Sequence, residues 1–189
     1  MSNYIFYNKI FDEEDLTKIK SLIDTKEWVK NPDYDNGKRD VIFGEENHID
    51  LIKENLPPFS KVRDVYNNFL DEHLQKSFLK YTDNKFLIDV KLAKYDVNDE
   101  YAWHSDHLFT EKDVQLRRVL TSITYLNDDF EGGETEFKDM IIKPKSGYTL
   151  IFPSEWFIVH RGKPVLKGTK YILVAHMNSK VLNWGVFNG

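Results

Sequence analysis

The chain has 189 residues, of which 41% are apolar and 30% are charged, an ordinary balance for a soluble folded domain. Its 31 acidic and 26 basic residues give a net charge of −5, which argues against a general nucleic-acid-binding surface. The absence of cysteine excludes disulfides, thiolate catalysis, zinc fingers and iron–sulfur clusters. Any metal would therefore be held by histidine, carboxylate or backbone oxygen.

The chain contains no apolar segment of membrane-spanning length, and its first residues lack the basic and apolar parts of a signal peptide. We therefore expect no membrane association and a cytoplasmic location. No repeat or low-complexity linker divides the sequence, so residues 1–189 are expected to form a single domain. Helical support is predicted in about residues 1–83 and a strand-rich core in about residues 84–178.

Two helices are predicted in the first half of the chain. The first runs from 12 to about 30, with Asp12 as its N-cap and acidic residues in its first turn. The second covers roughly 59–79, where apolar residues recur at three- to four-residue spacing. Between them, residues 33–55 are rich in Asn, Asp and Gly and are expected to be irregular.

The second half of the chain is predicted to consist of short strands separated by turn sequences such as Gly132-Gly133. Helical patterns do not alternate with these strands, so the sequence predicts an α+β fold with an antiparallel sandwich or barrel packed on helices. The strand candidates are 85–95, Tyr101–Asp106, Arg117–Leu126, Glu134–Asp139, Tyr148–Phe152, Phe157–Arg161 and Lys170–Met177.

Two His-x-Asp patterns occur, close to the number expected by chance. His48 and Asp50 have no strand signal around them and are interpreted as surface residues, and His73 is interpreted as a packing residue of the second helix.

His104 and Asp106 follow a strand-forming segment, so both side chains are expected on one side of a strand. With His160 they would form a face of two histidines and one carboxylate, which is typical of non-haem Fe(II) oxygenases. His160 taken alone fits a core histidine bonded to a backbone carbonyl better than it fits a metal ligand.

Lys170 opens the last apolar strand, where a lysine is unfavourable unless it is paired or reaches water. A bound carboxylate would satisfy it, and so would an acidic side chain of the protein.

These residues stand within a longer series of motifs between Phe86 and Met177. The series consists of Tyr95, His104-Ser105-Asp106, Arg118–Asn127, Gly132–Phe137, Phe152-Pro153-Ser154, His160–Val165 and Gly168–Tyr171. In this combination the sequence resembles the Fe(II)- and 2-oxoglutarate-dependent dioxygenases of the prolyl 4-hydroxylase type. The resemblance implies a double-stranded β-helix, or jelly roll, backed by helices.

The resemblance also implies roles for individual residues. His104, Asp106 and His160 would bind Fe(II), and Lys170 would bind the distal carboxylate of 2-oxoglutarate. Further candidates for co-substrate contacts are Tyr95, Tyr125, Thr135 and His176. The family usually has tryptophan at the position of His176, so this histidine would change the polarity of the pocket. Aromatic core residues remain an alternative for the two tyrosines.

The reaction implied by the resemblance is hydroxylation of a peptidyl proline, with O₂ as co-substrate, release of succinate and CO₂, and ascorbate as a further cofactor. A peptide or protein substrate is expected, and no nucleic acid partner. His107, Trp103, Trp156 and Arg161 are surface or substrate-side candidates without an assigned role. The alternatives are the same chemistry on a free amino acid or other small molecule, nucleic-acid demethylation, and a non-enzymatic metal-binding jelly roll.

Overall fold

The computed structural model describes residues 5–24, 28–30, 37–38, 40–42, 61, 64, 66, 87–110 and 116–180. His48, Asp50, His73 and most of the predicted second helix lie outside these residues. Within the described part of the chain, no helix is long and apolar enough to cross a membrane.

The described elements with complete bounds are the helix α1 and a series of short and long strands, and residues 61, 64 and 66 are helical as well. In chain order they are β1 (Phe6–Lys9), α1 (Glu13–Ile23), β2 (Val29–Lys30), β3 (Gly37–Lys38), β4 (Asp40–Ile42), β5 (Leu87–Tyr95), β6 (Glu100–His104), β7 (Phe109–Thr110), β8 (Leu116–Tyr125), β9 (Glu131–Gly132), β10 (Thr135–Phe137), β11 (Ile141–Ile142), β12 (Tyr148–Pro153), β13 (His160–Gly162), β14 (Val165–Lys167) and β15 (Lys170–Lys180).

Helix α1 begins with a reciprocal pair of hydrogen bonds. The Asp15 amide donates to Oδ1 of Asp12 at 3.0 Å, and the Asp12 amide donates to Oδ2 of Asp15 at 3.1 Å. This confirms Asp12 as the N-cap. The helix ends at Ile23 rather than near residue 30, and Val29 instead pairs with Val41 in a sheet.

Two antiparallel sheets build the core. The major sheet has the order β1-β12-β8-β15-β5-β4-β2, with β7 paired to β8, and the minor sheet has the order β11-β10-β13-β6-β3. Residues from both sheets, such as Phe137 of β10 and Phe152 of β12, share one buried cluster, so the sheets face each other. This arrangement confirms the predicted jelly roll.

The other face of the major sheet is covered by helical residues. Leu16 and Ile19 of α1 pack with Leu173 and Met177 of β15. Tyr66, also helical and fully buried, donates from its hydroxyl to the carbonyl of Ala175 at 2.7 Å. The major sheet is thus buried on both faces, which fixes the side that β15 presents to the minor sheet.

Two strand predictions near the candidate ligands are wrong in detail. The segment before His160 was expected to be an apolar strand, but Trp156 and Phe157 lie in a turn and are 70% and 59% exposed. Strand β13 begins only at His160. Strand β6 ends at His104, so Asp106 lies in the loop that follows.

Candidate metal and co-substrate site

The two candidate histidine ligands lie opposite each other on neighbouring strands. His104 of β6 and His160 of β13 are direct register partners, and their ring centroids are 4.3 Å apart. Asp106 reaches back between them, with Oδ1 3.4 Å from Nε2 of His104 and Oδ2 3.7 Å from Nε2 of His160. The three ligand atoms lie within 4.8 Å of one another.

Backbone carbonyls fix the orientation of both imidazoles. Nδ1 of His104 lies 2.8 Å from the Ala102 carbonyl, and Nδ1 of His160 lies 3.4 Å from the Ile158 carbonyl. Because a carbonyl only accepts, each Nδ1 carries a proton, and Nε2 is the ring nitrogen that faces Asp106 in both residues.

The protonation states also suit a cation. Burial lowers the pKa of His160 to about 4, so its imidazole is neutral at neutral pH. Burial alone would raise the pKa of Asp106, but the His104 hydrogen bond and the surrounding histidines hold it well below its usual value. Two imidazoles and one carboxylate form a donor set that fits a divalent metal such as Fe(II).

Lys170 is only 3% exposed and lies at the start of β15, beside Tyr95 of β5. Its ammonium donates to the Gly133 carbonyl at 2.7 Å and lies 4.9 Å from the ring centroid of Tyr95. The ring of Tyr125 is 5.8 Å away. The charge is therefore held in a largely aromatic and backbone environment, which suits an incoming carboxylate.

The Gly132-Gly133 turn shapes this end of the site. Gly133 has a φ of +66°, and a Cβ placed on it would lie 3.1 Å from Cδ of Lys170. The backbone approach seen here is therefore specific to glycine. Thr135, which follows the turn, shares a 2.7 Å hydrogen bond with the hydroxyl of Tyr125, whose pKa is raised by burial.

One pocket of about 100 Å³ contains almost all of the predicted site residues. Its wall includes every residue predicted to bind the metal or the co-substrate except Tyr125, which is hydrogen-bonded to Thr135 of the wall. The lining residues are Lys91, Tyr95, Tyr101, His104, Asp106, Arg118, Thr121, Ile123, Thr135, His160, Gly162, Lys170, Ile172, Val174 and His176. His176 shares the inward face of β15 with Lys170, as its even spacing predicts.

Sequence reasoning missed the roles of Lys91, Tyr101 and Arg118 in this wall. Tyr101 packs edge-on against His104 with ring centroids 4.1 Å apart. No signal in the sequence separates Lys91 or Arg118 from ordinary surface cations.

The remaining candidates lie outside the pocket. His107 is exposed. Arg161 lies over the ring of Trp103 at 4.9 Å on the side of the minor sheet away from the pocket, and Trp156 is in the exposed turn before β13.

Comparison with known proteins places this site in context. Residues 90–178 match the model of the 2OG-Fe(II) oxygenase superfamily. A PKHD-type hydroxylase of Thermosynechococcus vestitus is 31% identical over 111 residues, covering 55% of this chain and 49% of the relative. The chain spans less than half the length of the curated relatives it matches.

Solved structures show the same fold. A viral collagen prolyl hydroxylase from Paramecium bursaria Chlorella virus-1, in its 2OG complex, matches with a TM-score of 0.67 at 21% identity, over 94% of this chain and 97% of that one. A Trichoplax adhaerens prolyl hydroxylase, in complex with a peptide fragment of the hypoxia inducible factor oxygen degradation domain, matches with a TM-score of 0.65 at 16% identity. That match covers 94% of this chain and 84% of the other.

Proposed function

We propose, from the match of residues 90–178 to the model of the 2OG-Fe(II) oxygenase superfamily, that the chain is an Fe(II)- and 2-oxoglutarate-dependent dioxygenase that hydroxylates a prolyl residue of a peptide or protein. The observation that carries the proposal is the meeting of His104, Asp106, His160 and the buried Lys170 in one pocket. A single catalytic domain over residues 1–189 is part of the proposal.

In this proposal the protein holds the reactants and tunes their charge. Nε2 of His104, Nε2 of His160 and a carboxylate oxygen of Asp106 would hold the Fe(II). The carbonyl contacts at each Nδ1 keep both rings aimed at the metal before it binds. The carboxylate lowers the net charge of the ion in a pocket where unbalanced charge is unfavourable.

Lys170 would bind the distal carboxylate of 2-oxoglutarate. The buried ammonium is already oriented by the Gly133 carbonyl, so little ordering accompanies co-substrate binding. The hydroxyl pair of Thr135 and Tyr125 lies beside it and offers a further hydrogen bond to the same carboxylate. The apolar side chains of Ile123, Ile172 and Val174 line the same pocket as the metal ligands and Lys170, and they exclude water from it.

When bound, the iron with 2-oxoglutarate and O₂ supplies the oxidation, which yields succinate, CO₂ and a hydroxylated C–H position. A prolyl substrate is supported by the names of the structural neighbours, one of which was solved with a peptide. Ascorbate dependence and a cytoplasmic location remain predictions from the resemblance and from composition.

Replacing Asp106 tests the metal site. We expect Asp106→Ala to abolish succinate formation and to remove the visible absorption band that Fe(II) and 2-oxoglutarate give together under anaerobic conditions. Lys167→Gln, at an exposed ion pair with Glu131 outside the pocket, is the matched control and should behave as the unchanged protein. Succinate formation that survives in Asp106→Ala contradicts the assignment.

Replacing Lys170 tests the co-substrate site separately. Lys170→Ala should raise the 2-oxoglutarate concentration needed for half-maximal turnover by roughly tenfold or more, because a charge-assisted hydrogen bond is lost. Metal binding, measured by Mn(II) titration, should change little. An unchanged 2-oxoglutarate requirement would overturn the role of Lys170.

The substrate class is tested with a peptide library followed by mass detection of an added oxygen. A prolyl peptide should gain one oxygen only when Fe(II), 2-oxoglutarate and O₂ are all present. Turnover of free amino acids alone would favour the small-molecule alternative. Stoichiometric metal binding without any 2-oxoglutarate decarboxylation would favour a non-enzymatic module.

A further inference from the structure

A break in strand register turns Arg118 toward the pocket. Along β8 and β15, His176 pairs with Thr121 and Met177 pairs with Leu120, but Asn178 pairs with Arg118. Val119 is therefore an extra residue, as in a β-bulge. If side chains alternated regularly along β8 from Thr121, the side chain at position 118 would point away from the pocket. With the bulge, Arg118 lies in the pocket wall.

The guanidinium of Arg118 is incompletely satisfied by the protein. Its Nε is buried and has no hydrogen-bond partner among the described residues. The neighbouring Arg117 differs, because it is exposed and its Nη2 donates to Glu155 at 2.5 Å. A buried donor without a partner costs about 1–3 kcal/mol, a cost that a bound acceptor would remove.

The charge balance of the loaded pocket points to an anionic acceptor. With Fe(II) and 2-oxoglutarate in place, the charges of the metal, Asp106, the co-substrate and Lys170 cancel. The positive charges of Lys91 and Arg118 then remain in the same wall, and Arg118 lies opposite Asn178 near the end of β15. Asn178 is about 26 Å along the strand from Lys170, at roughly 3.3 Å per residue, so Lys170 and Arg118 serve different ligands.

We propose that Arg118 binds a carboxylate of the substrate and thereby selects substrates with a negative charge close to the oxidised C–H bond. This inference rests on the proposed function and narrows its substrate class. A carboxylate matches the planar donor fork of arginine, which a neutral amide fills less well. The carboxylate has two sources, a free α-carboxylate at or near a proline and the side chain of an adjacent acidic residue.

Binding of matched acid and amide probes tests this proposal. The protein is loaded with Mn(II) and 2-oxoglutarate, and calorimetry compares N-acetyl-proline with N-acetyl-prolinamide, and blocked Pro-Asp with blocked Pro-Asn. We expect the acid of one pair to bind roughly tenfold to hundredfold more tightly than its amide. The pair that discriminates identifies the source of the carboxylate.

Two adjacent arginines supply the variant and its control. Arg118→Gln should abolish the preference for the acid, Arg118→Lys should retain part of it, and Arg117→Gln should leave it unchanged. The proposal is overturned if, in both probe pairs, the acid and the amide bind equally or neither binds detectably. It is also overturned if Arg118→Gln still binds the acid more tightly than the amide. If 2-oxoglutarate itself fails to bind, the proposed function fails; if it binds and the pairs are indistinguishable, only this inference fails.

Discussion

At the scale of single residues, the burial of Lys170 depends on its glycine neighbour. A lysine that is 3% exposed is strongly unfavourable without polar contacts. The Gly133 carbonyl supplies one such contact, and the missing side chain of Gly133 supplies the space for the lysine stem. The two residues therefore act as a unit, with the turn setting the position of the ammonium.

Gly133→Ala should disturb this unit. The added Cβ would sit 3.1 Å from Cδ of Lys170 in a backbone with a φ of +66°, which is strained for alanine. We expect a loss of stability of about 1–2 kcal/mol together with a raised 2-oxoglutarate requirement. Urea unfolding measures the loss of stability, and co-substrate titration measures the 2-oxoglutarate requirement. A loss of stability with an unchanged 2-oxoglutarate requirement would show that Lys170 had not moved.

Residue identity and spacing predicted most of the pocket, because metal and carboxylate binding need a small set of side-chain types. His104, Asp106, His160 and Lys170 meet in the pocket, although their roles remain predictions. Arg118 was not predictable in this way. Its direction depends on the pairing of two strands that are distant in sequence, and a single sequence carries no signal for that bulge.

At the scale of elements, the outer face of the minor sheet holds the strands that carry the histidines. Arg161 of β13 donates from Nε and Nη2 to Oε2 of Glu136 on β10, both at 2.6 Å. Its guanidinium also lies 4.9 Å from the ring centroid of Trp103 on β6. These contacts link three strands directly beside His104 and His160, so they oppose sliding of one ligand relative to the other.

Arg161→Leu should therefore weaken metal binding without unfolding the chain. The lost contacts are partly exposed and are worth about 1 kcal/mol, which corresponds to a loss of Mn(II) affinity of roughly fivefold. Isothermal titration measures this affinity, and Lys167→Gln, which breaks the exposed pair between β14 and β9, is the control. Equal affinities in the two variants would show that the outer contacts do not position the ligands.

The helical layer should affect stability and leave the pocket unchanged. Tyr66→Phe removes a hydroxyl that bonds the Ala175 carbonyl and Ser122 Oγ, both on the helix-facing side of the major sheet. We expect the free energy of unfolding to fall by about 1–2 kcal/mol, while the 2-oxoglutarate requirement stays the same. Chemical denaturation measures the free energy of unfolding, and turnover assays measure the 2-oxoglutarate requirement. A changed 2-oxoglutarate requirement in Tyr66→Phe would show that the helical layer also affects the pocket.

Element boundaries were less predictable than element types. The apolar residues Trp156 and Phe157 favour a strand by propensity, yet they lie in an exposed turn because the chain must return from β12 to β13 at that point. Short strands such as β9 and β14 contain few residues, and their pairing depends on the surrounding jelly roll. The strand propensity of two or three residues carries little information about where such a strand begins, ends or pairs.

At the scale of the whole molecule, the sequence predicted the fold class because its two halves have different periodicity. Apolar residues repeat at helical spacing near α1 and at alternating spacing in β5, and both patterns are confirmed by burial on the expected faces. The two facing sheets enclose a pocket in which Lys170, His160 and His176 are buried. Stability should therefore be coupled to ligation and to pH.

The metal-free protein should lose stability in mild acid because of His160. Its pKa is about 4 in the folded state and about 6.5 when unfolded, so the unfolded chain binds the proton more readily. The free energy of unfolding should therefore fall by about 3 kcal/mol as the pH drops from about 6.5 to about 4, and it should be insensitive to this group above that range. Asp106 has a lowered pKa and adds to the loss only at still lower pH.

Urea unfolding at a series of pH values measures this dependence, with metal removed by a chelator. His160→Gln removes the titrating group, so its unfolding free energy should vary less over the same range than that of the unchanged protein. Mn(II) would compete with protons for Nε2 of His160. Saturating metal should therefore shift the onset of the stability loss to lower pH. If the unfolding free energy of His160→Gln varied with pH as much as that of the unchanged protein, the buried imidazole would not be the source of the acid sensitivity.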